Sequence, residues 1–84
     1  MLPPAYRRDR GVYLARAARA HAGTGNNVLA ARIGTQAVGI AAKTGSARIV
    51  HQLDRLDQAL APAASENCVA EFRASLDRIV MHPA

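Results

Sequence analysis

From Ile49 onward the large aliphatic residues fall into two stripes of helical period. Ile49, Leu53, Leu56 and Leu60 recur at spacings of four, three and four, which sets them along one narrow seam of a helix. Ser46 stands at the N-cap position just after Gly45, and Pro62 stands just past the far end. This pattern predicts a helix over 47–61. Val69, Phe72, Leu76, Ile79 and Val80 form the second stripe, with Ser65 as the expected cap, Glu66 near the positive helix end and His82-Pro83 as the stop. The second predicted helix covers 66–81. The two are expected to pair as an amphipathic hairpin that carries most of the core and offers a seam for a dimer.

The front half is patterned by smaller residues. A helix is predicted over 5–22, entered through Pro3 and Pro4. On its wheel Tyr6, Tyr13, Ala17 and Ala20 share a face with Leu14 at the margin, while Arg8, Arg16 and Arg19 gather opposite. Gly11 is expected to weaken it by roughly 1 kcal/mol and to allow a kink. Gly23-Thr24-Gly25-Asn26-Asn27 reads as a turn, with Asn27 able to cap the next segment. Two readings compete over 28–44. As a helix, Leu29, Ile33, Ala37 and Ile40 line one face and Arg32, Thr35, Gln36 and Lys43 the other, with a break expected near Gly34. As a β-hairpin, 28–33 would pair with 37–42 through Gly34-Thr35-Gln36. The alanine content favours the helix.

The expected fold is therefore an all-α, compact four-helix domain, with residues 1–4 and 82–84 frayed at the ends. Eighty-four residues make one domain, and a single Phe, two Tyr and no Trp suit a core of small and aliphatic side chains. So thin a core leaves room for a homodimer. The single Cys excludes an internal disulfide framework and suits a reducing, cytoplasmic setting. No apolar run is long enough to span a bilayer, and the Arg-rich start, interrupted by Asp9 and Gly11, reads as mature sequence.

Charge adds the main functional hint. The net charge is +5, yet residues 1–50 hold eight basic side chains against Asp9 alone, while residues 51–84 hold three basic and five acidic ones. A basic front half suits nucleic acid or another anionic surface. Ten Arg against one Lys also fits a GC-rich genome, which would account for the choice of Arg but not for the asymmetry.

Within that half, Ala30, Gly34 and Ile40 stand at the spacing of the close-crossing alanine, the turn glycine and the seated aliphatic residue of a helix-turn-helix. Over about twenty residues the stretch is similar to the helix-turn-helix of phage repressor and Cro-type regulators. Val38 and Gly39 depart from the pattern. The resemblance implies that Thr35, Gln36 and Lys43 face the major groove, with Arg16, Arg19, Arg32 and Arg48 on the phosphates. Arg8, Arg16 and Arg19, flanked by Arg7 and Arg10, form a second candidate stripe for anions. The competing reading is a tightly packed small-residue helix whose Arg32 and Lys43 are merely solvated, beside a solvated Arg face on the first helix.

Other chemistry finds little support. His21, His51 and His82 are scattered and share no zinc-ligand spacing with Cys68, which reads as a structural thiol. Asp54 and Asp57 suit ion pairs with surface Arg rather than acid–base work. Gly23-Thr24-Gly25 lacks the Gly-Lys-Ser/Thr ending of a phosphate loop. No metal, no cofactor and no enzymatic activity are expected. The leading expectation is a small basic DNA-binding regulator of the phage or mobile-element kind. The alternative is a helical adaptor or inhibitor that grips an acidic protein surface. A membrane-surface role lacks the bulky apolar face it would need.

Overall fold

The computed structural model describes residues 4–81, with side chains from 9 to 80. The chain forms four α-helices: α1 (Pro4–Gly23), α2 (Asn27–Thr44), α3 (Ala47–Leu60) and α4 (Asn67–Met81). No strand occurs among the described residues, so the hairpin reading of 28–44 is excluded. Pro4, expected to fray, begins α1; the expectations for residues 1–3 and 82–84, and for the side chains of Tyr6, Arg7 and Arg8, lie outside the described set.

Local chemistry sets each boundary. The first turn closes on one carbonyl, because the His21 oxygen accepts from the backbone N–H groups of Thr24 and Asn26 at 3.1 and 2.9 Å. The Thr24 hydroxyl donates to the same oxygen at 2.9 Å. Gly25 reverses the chain at φ 84°, and Asn26, not Asn27, occupies the N-cap of α2, without a side-chain cap bond. At the far end of α2, Gly45 takes the left-handed conformation at φ 66°, and its N–H donates to the Ala41 carbonyl at 2.8 Å. The Ser46 hydroxyl oxygen then accepts from the Ile49 N–H at 3.3 Å, the capping contact that its position predicts. A single 3-10 turn over Ala61–Ala63 carries the chain around Pro62. α4 begins one residue later than expected; the Glu66 carbonyl accepts its first helical bond, from Ala70 at 2.9 Å, and Ser65 lies outside the helix.

The core is made of the seam and the stripe together with alanine. Ile49, Leu53, Leu56 and Leu60 are fully enclosed, as are Val69 and Phe72, and they meet Ala15, Ala18, Ala30, Ala31, Ala37, Val38 and Ala41. The seam is thus buried within one chain. It is a core seam, and it leaves no apolar ridge there for a second copy.

Two glycines mark where the helices come closest. A Cβ on Gly34 would lie 2.6 Å from Leu56 Cδ2 and 2.9 Å from Phe72 Cε1, so α2 meets α3 and α4 at this point. A Cβ on Gly11 would press on Ile49 and stand 3.0 Å from Ile40 Cγ2, so α1 meets α2 and α3 there. A side chain at either glycine would force its neighbours to shift.

These contacts correct three expectations. α2 runs unbroken through Gly34, so no turn forms there and 28–44 is not a helix-turn-helix pair. Gly34 serves close packing instead of chain reversal. The buried face of α1 is Gly11, Ala15 and Ala18, while Tyr13 is 69% exposed. Finally, α4 rests mainly on α2 and meets α3 only sparingly, so the last two helices do not form a self-contained hairpin. The Arg73 Nε to Asp57 Oδ1 ion pair at 2.9 Å ties them across the gap.

Candidate nucleic-acid interface

α2 has two unlike faces. Ala30, Ala31, Gly34, Ala37, Val38 and Ala41 are buried, whereas Arg32, Thr35, Gln36, Gly39 and Lys43 are exposed. At 3.6 residues per turn, Arg32, Gly39 and Lys43 fall along the middle of the outward face. Thr35 and Gln36 flank that line on opposite sides, and both are open to solvent. The open arc is therefore wide. The four polar residues singled out from the sequence do share one accessible face.

The charge map follows the fold. α2 contains no acidic residue, and the acids beyond Asp9 lie on α3, on α4 or at Glu66 before α4. Arg32 and Lys43 stand about 16 Å apart along the axis, at ~1.5 Å per residue. Neither makes a hydrogen bond or an ion pair among the described residues, and Gln36 likewise has its amide free. Thr35 differs, because its hydroxyl donates to the Ala31 carbonyl at 2.8 Å. Its outward chemistry is the methyl group.

The remaining candidates divide. Arg48 is exposed at the start of α3, just past the turn after Lys43. Arg16 is exposed on α1. Arg19 is half-buried and its Nη1 donates to Gln52 Oε1 at 2.7 Å, so this guanidinium ties α1 to α3. It is largely a structural group. Among the described residues the one ion pair is Arg73–Asp57, between the two nearly neutral helices, and Arg16, Arg32, Lys43 and Arg48 make none.

The rest of the surface offers less. Among the described residues Asp9, Arg10, Tyr13 and Leu14 line an open hollow of about 450 Å³ on α1. Asp54 accepts from Gln58 Nε2 at 3.3 Å, Asp57 holds Arg73, and Cys68 is a free, half-buried thiol. Among the described residues no three His, Cys, Asp or Glu side chains come together. No described helix is long and apolar enough to cross a membrane.

Sequence reasoning finds the outward face of α2 because the polar residues there are charged or amide-bearing. It misses the role of Gln52 as the partner of Arg19, for which no local signal exists 33 residues away. Comparison with protein-family models, with curated proteins and with solved structures gives no significant match.

Proposed function

We propose that this protein is a small, non-catalytic, cytoplasmic DNA-binding protein that regulates by occupying DNA. The observation that carries the reading is the outward face of α2, where Arg32, Gln36 and Lys43 stand free on a helix without an acid. Phosphate attraction supplies most of the affinity of such a surface, and it is released by salt. The size and charge suit the small regulators of phages and mobile elements. The route onto DNA is a continuous helix and not a helix-turn-helix.

The test is titration of a labelled DNA duplex at several salt concentrations. Arg32 and Lys43 alone give a slope of log K on log salt of about −1.8, and adding Arg16 and Arg48 brings it to about −3.6, at ~0.9 per phosphate. The larger value weakens binding by roughly 100-fold between 50 and 200 mM salt. Replacing Arg32 and Lys43 by Ala removes about 1.8 from the slope. Absence of binding at low salt refutes the reading.

A second reading draws on the exposed apolar groups. Val28 and Leu29 are open at the start of α2, and Tyr13 is open on α1. An acidic protein surface with an apolar centre would use these residues together with the same cations, the mode of an adaptor or inhibitor. Salt-resistant, nuclease-insensitive binding that is lost in Val28→Ser/Leu29→Ser would favour it.

A further inference from the structure

We infer that the nucleic acid taken by this surface is B-form duplex DNA, entered at the major groove by α2, with Gln36 reading adenine between the phosphate grips of Arg32 and Lys43. The inference rests on the DNA reading above and specifies its ligand.

Shape comes first. α2 is an unbroken rod of 18 residues, or about 27 Å at ~1.5 Å per residue. Its outward arc is wide enough to expose both Thr35 and Gln36. The major groove of B-DNA, roughly 12 Å wide, admits a helix of this kind. The deep, narrow major groove of A-form RNA does not. Arg32 and Lys43, about 16 Å apart along the axis at ~1.5 Å per residue, stand toward opposite ends of the helix, and their long side chains can reach phosphates flanking the groove from there.

The chemistry between the two cations points to a base edge. Gln36 carries a free amide, whose oxygen and NH2 match the N6 donor and N7 acceptor of adenine. Thr35 has turned its hydroxyl back on Ala31, and the methyl it presents suits the thymine methyl. Gly39 has open space where a Cβ would be, so it leaves the middle of the line low enough for the backbone to approach the groove floor. Thr35 and Gln36 together therefore favour an A·T pair.

Single strands are disfavoured for a separate reason. Their binding relies on aromatic platforms that stack on successive bases. Among the described residues Phe72 is sealed in the core and Tyr13 is the one exposed aromatic side chain, on α1. The face of α2 has none.

The experiment is fluorescence anisotropy with the full chain and a labelled A·T-rich duplex. It is challenged by G·C-rich duplex DNA, by the same sequence as single-stranded DNA and by the same sequence as duplex RNA. The A·T-rich duplex is expected to win against all three. Replacing its adenines by 7-deazaadenine, which removes the N7 acceptor, is expected to weaken binding. Gln36→Ala, at an exposed position, is expected to lose roughly 5- to 150-fold of the A·T preference per bidentate contact removed while the salt slope stays unchanged. An unchanged A·T-to-G·C ratio in Gln36→Ala, or equal competition by single strands or duplex RNA, overturns this inference while leaving the DNA reading in place. No binding to any duplex at low salt overturns both.

Discussion

A matched pair of glycine substitutions on α2 tests how the bundle is held. Gly34 and Gly39 lie on one helix and differ only in what surrounds them. Replacing either by Ala removes the same helix penalty, worth about 1 kcal/mol in favour of Ala. At Gly39 nothing lies within 4 Å of the added Cβ, so the gain stands alone. At Gly34 the new methyl would stand 2.6 Å from Leu56 Cδ2 and 2.9 Å from Phe72 Cε1. Carbon atoms rest at roughly 3.5–4.0 Å, so Leu56 and Phe72, or the helices that carry them, must give by about 1 Å. Leu56 and Phe72 are both fully enclosed and cannot swing into solvent. Overpacking of this kind costs about 1–3 kcal/mol. Gly39→Ala should therefore melt above the parent. Gly34→Ala should fall below Gly39→Ala by about 1–3 kcal/mol, which is at least about 4 °C for a domain of this size. Thermal melts followed by circular dichroism, with urea titrations beside them, measure the gap. Equal midpoints for the two variants would refute the view that Gly34 is the crossing point of α2 with α3 and α4.

Leu53→Ala should cost about 2–5 kcal/mol, since its side chain is wholly enclosed. That is a large part of the roughly 5–10 kcal/mol expected for a domain of this length, and a loss below 1 kcal/mol in urea would show the seam to be misplaced. Ser46→Ala should cost about 1 kcal/mol by removing the acceptor for the Ile49 N–H, while Ser46→Gly should lose only a few tenths. If the two variants are equally stable, the capping bond contributes little.

Large side chains make most of the fold legible, and small ones hide the rest. The seam of Ile49, Leu53, Leu56 and Leu60 is readable because four branched residues at helical spacing have few alternatives to burial. Ser46 is readable because an N-cap demands one of a few residues. The face of α1 escapes such reading because Tyr13 dominates the helical wheel, whereas the contact is made by Gly11, Ala15 and Ala18. Alanine and glycine carry little hydrophobic signal, and their use in close packing depends on what stands opposite. Gly34 is ambiguous for the same reason. A glycine that ends a helix and one that admits another helix look alike in a single sequence, and the choice here is made by Leu56 and Phe72, more than twenty residues downstream. The outward face of α2 needs no such knowledge, because residues that meet only water obey the helical period alone.

That division bears on how function can reside in so small a chain. α2 is the element on which α1, α3 and α4 all converge, and its buried residues are all apolar. Close approach through Gly34 and the alanines lets three helices pack on one side of a single rod and leaves its other side clear. A helix packed by bulky side chains would stand farther from its neighbours and be less rigidly placed. Gly34 and the alanines thus fix the backbone of the helix that carries Arg32, Gln36 and Lys43 on its opposite face, which the proposed DNA reading requires because base contacts tolerate little displacement. The buried and the open residues of α2 thus lie on opposite sides of one helix, so under the proposed reading substitutions on the outward face should change DNA binding without loosening the bundle.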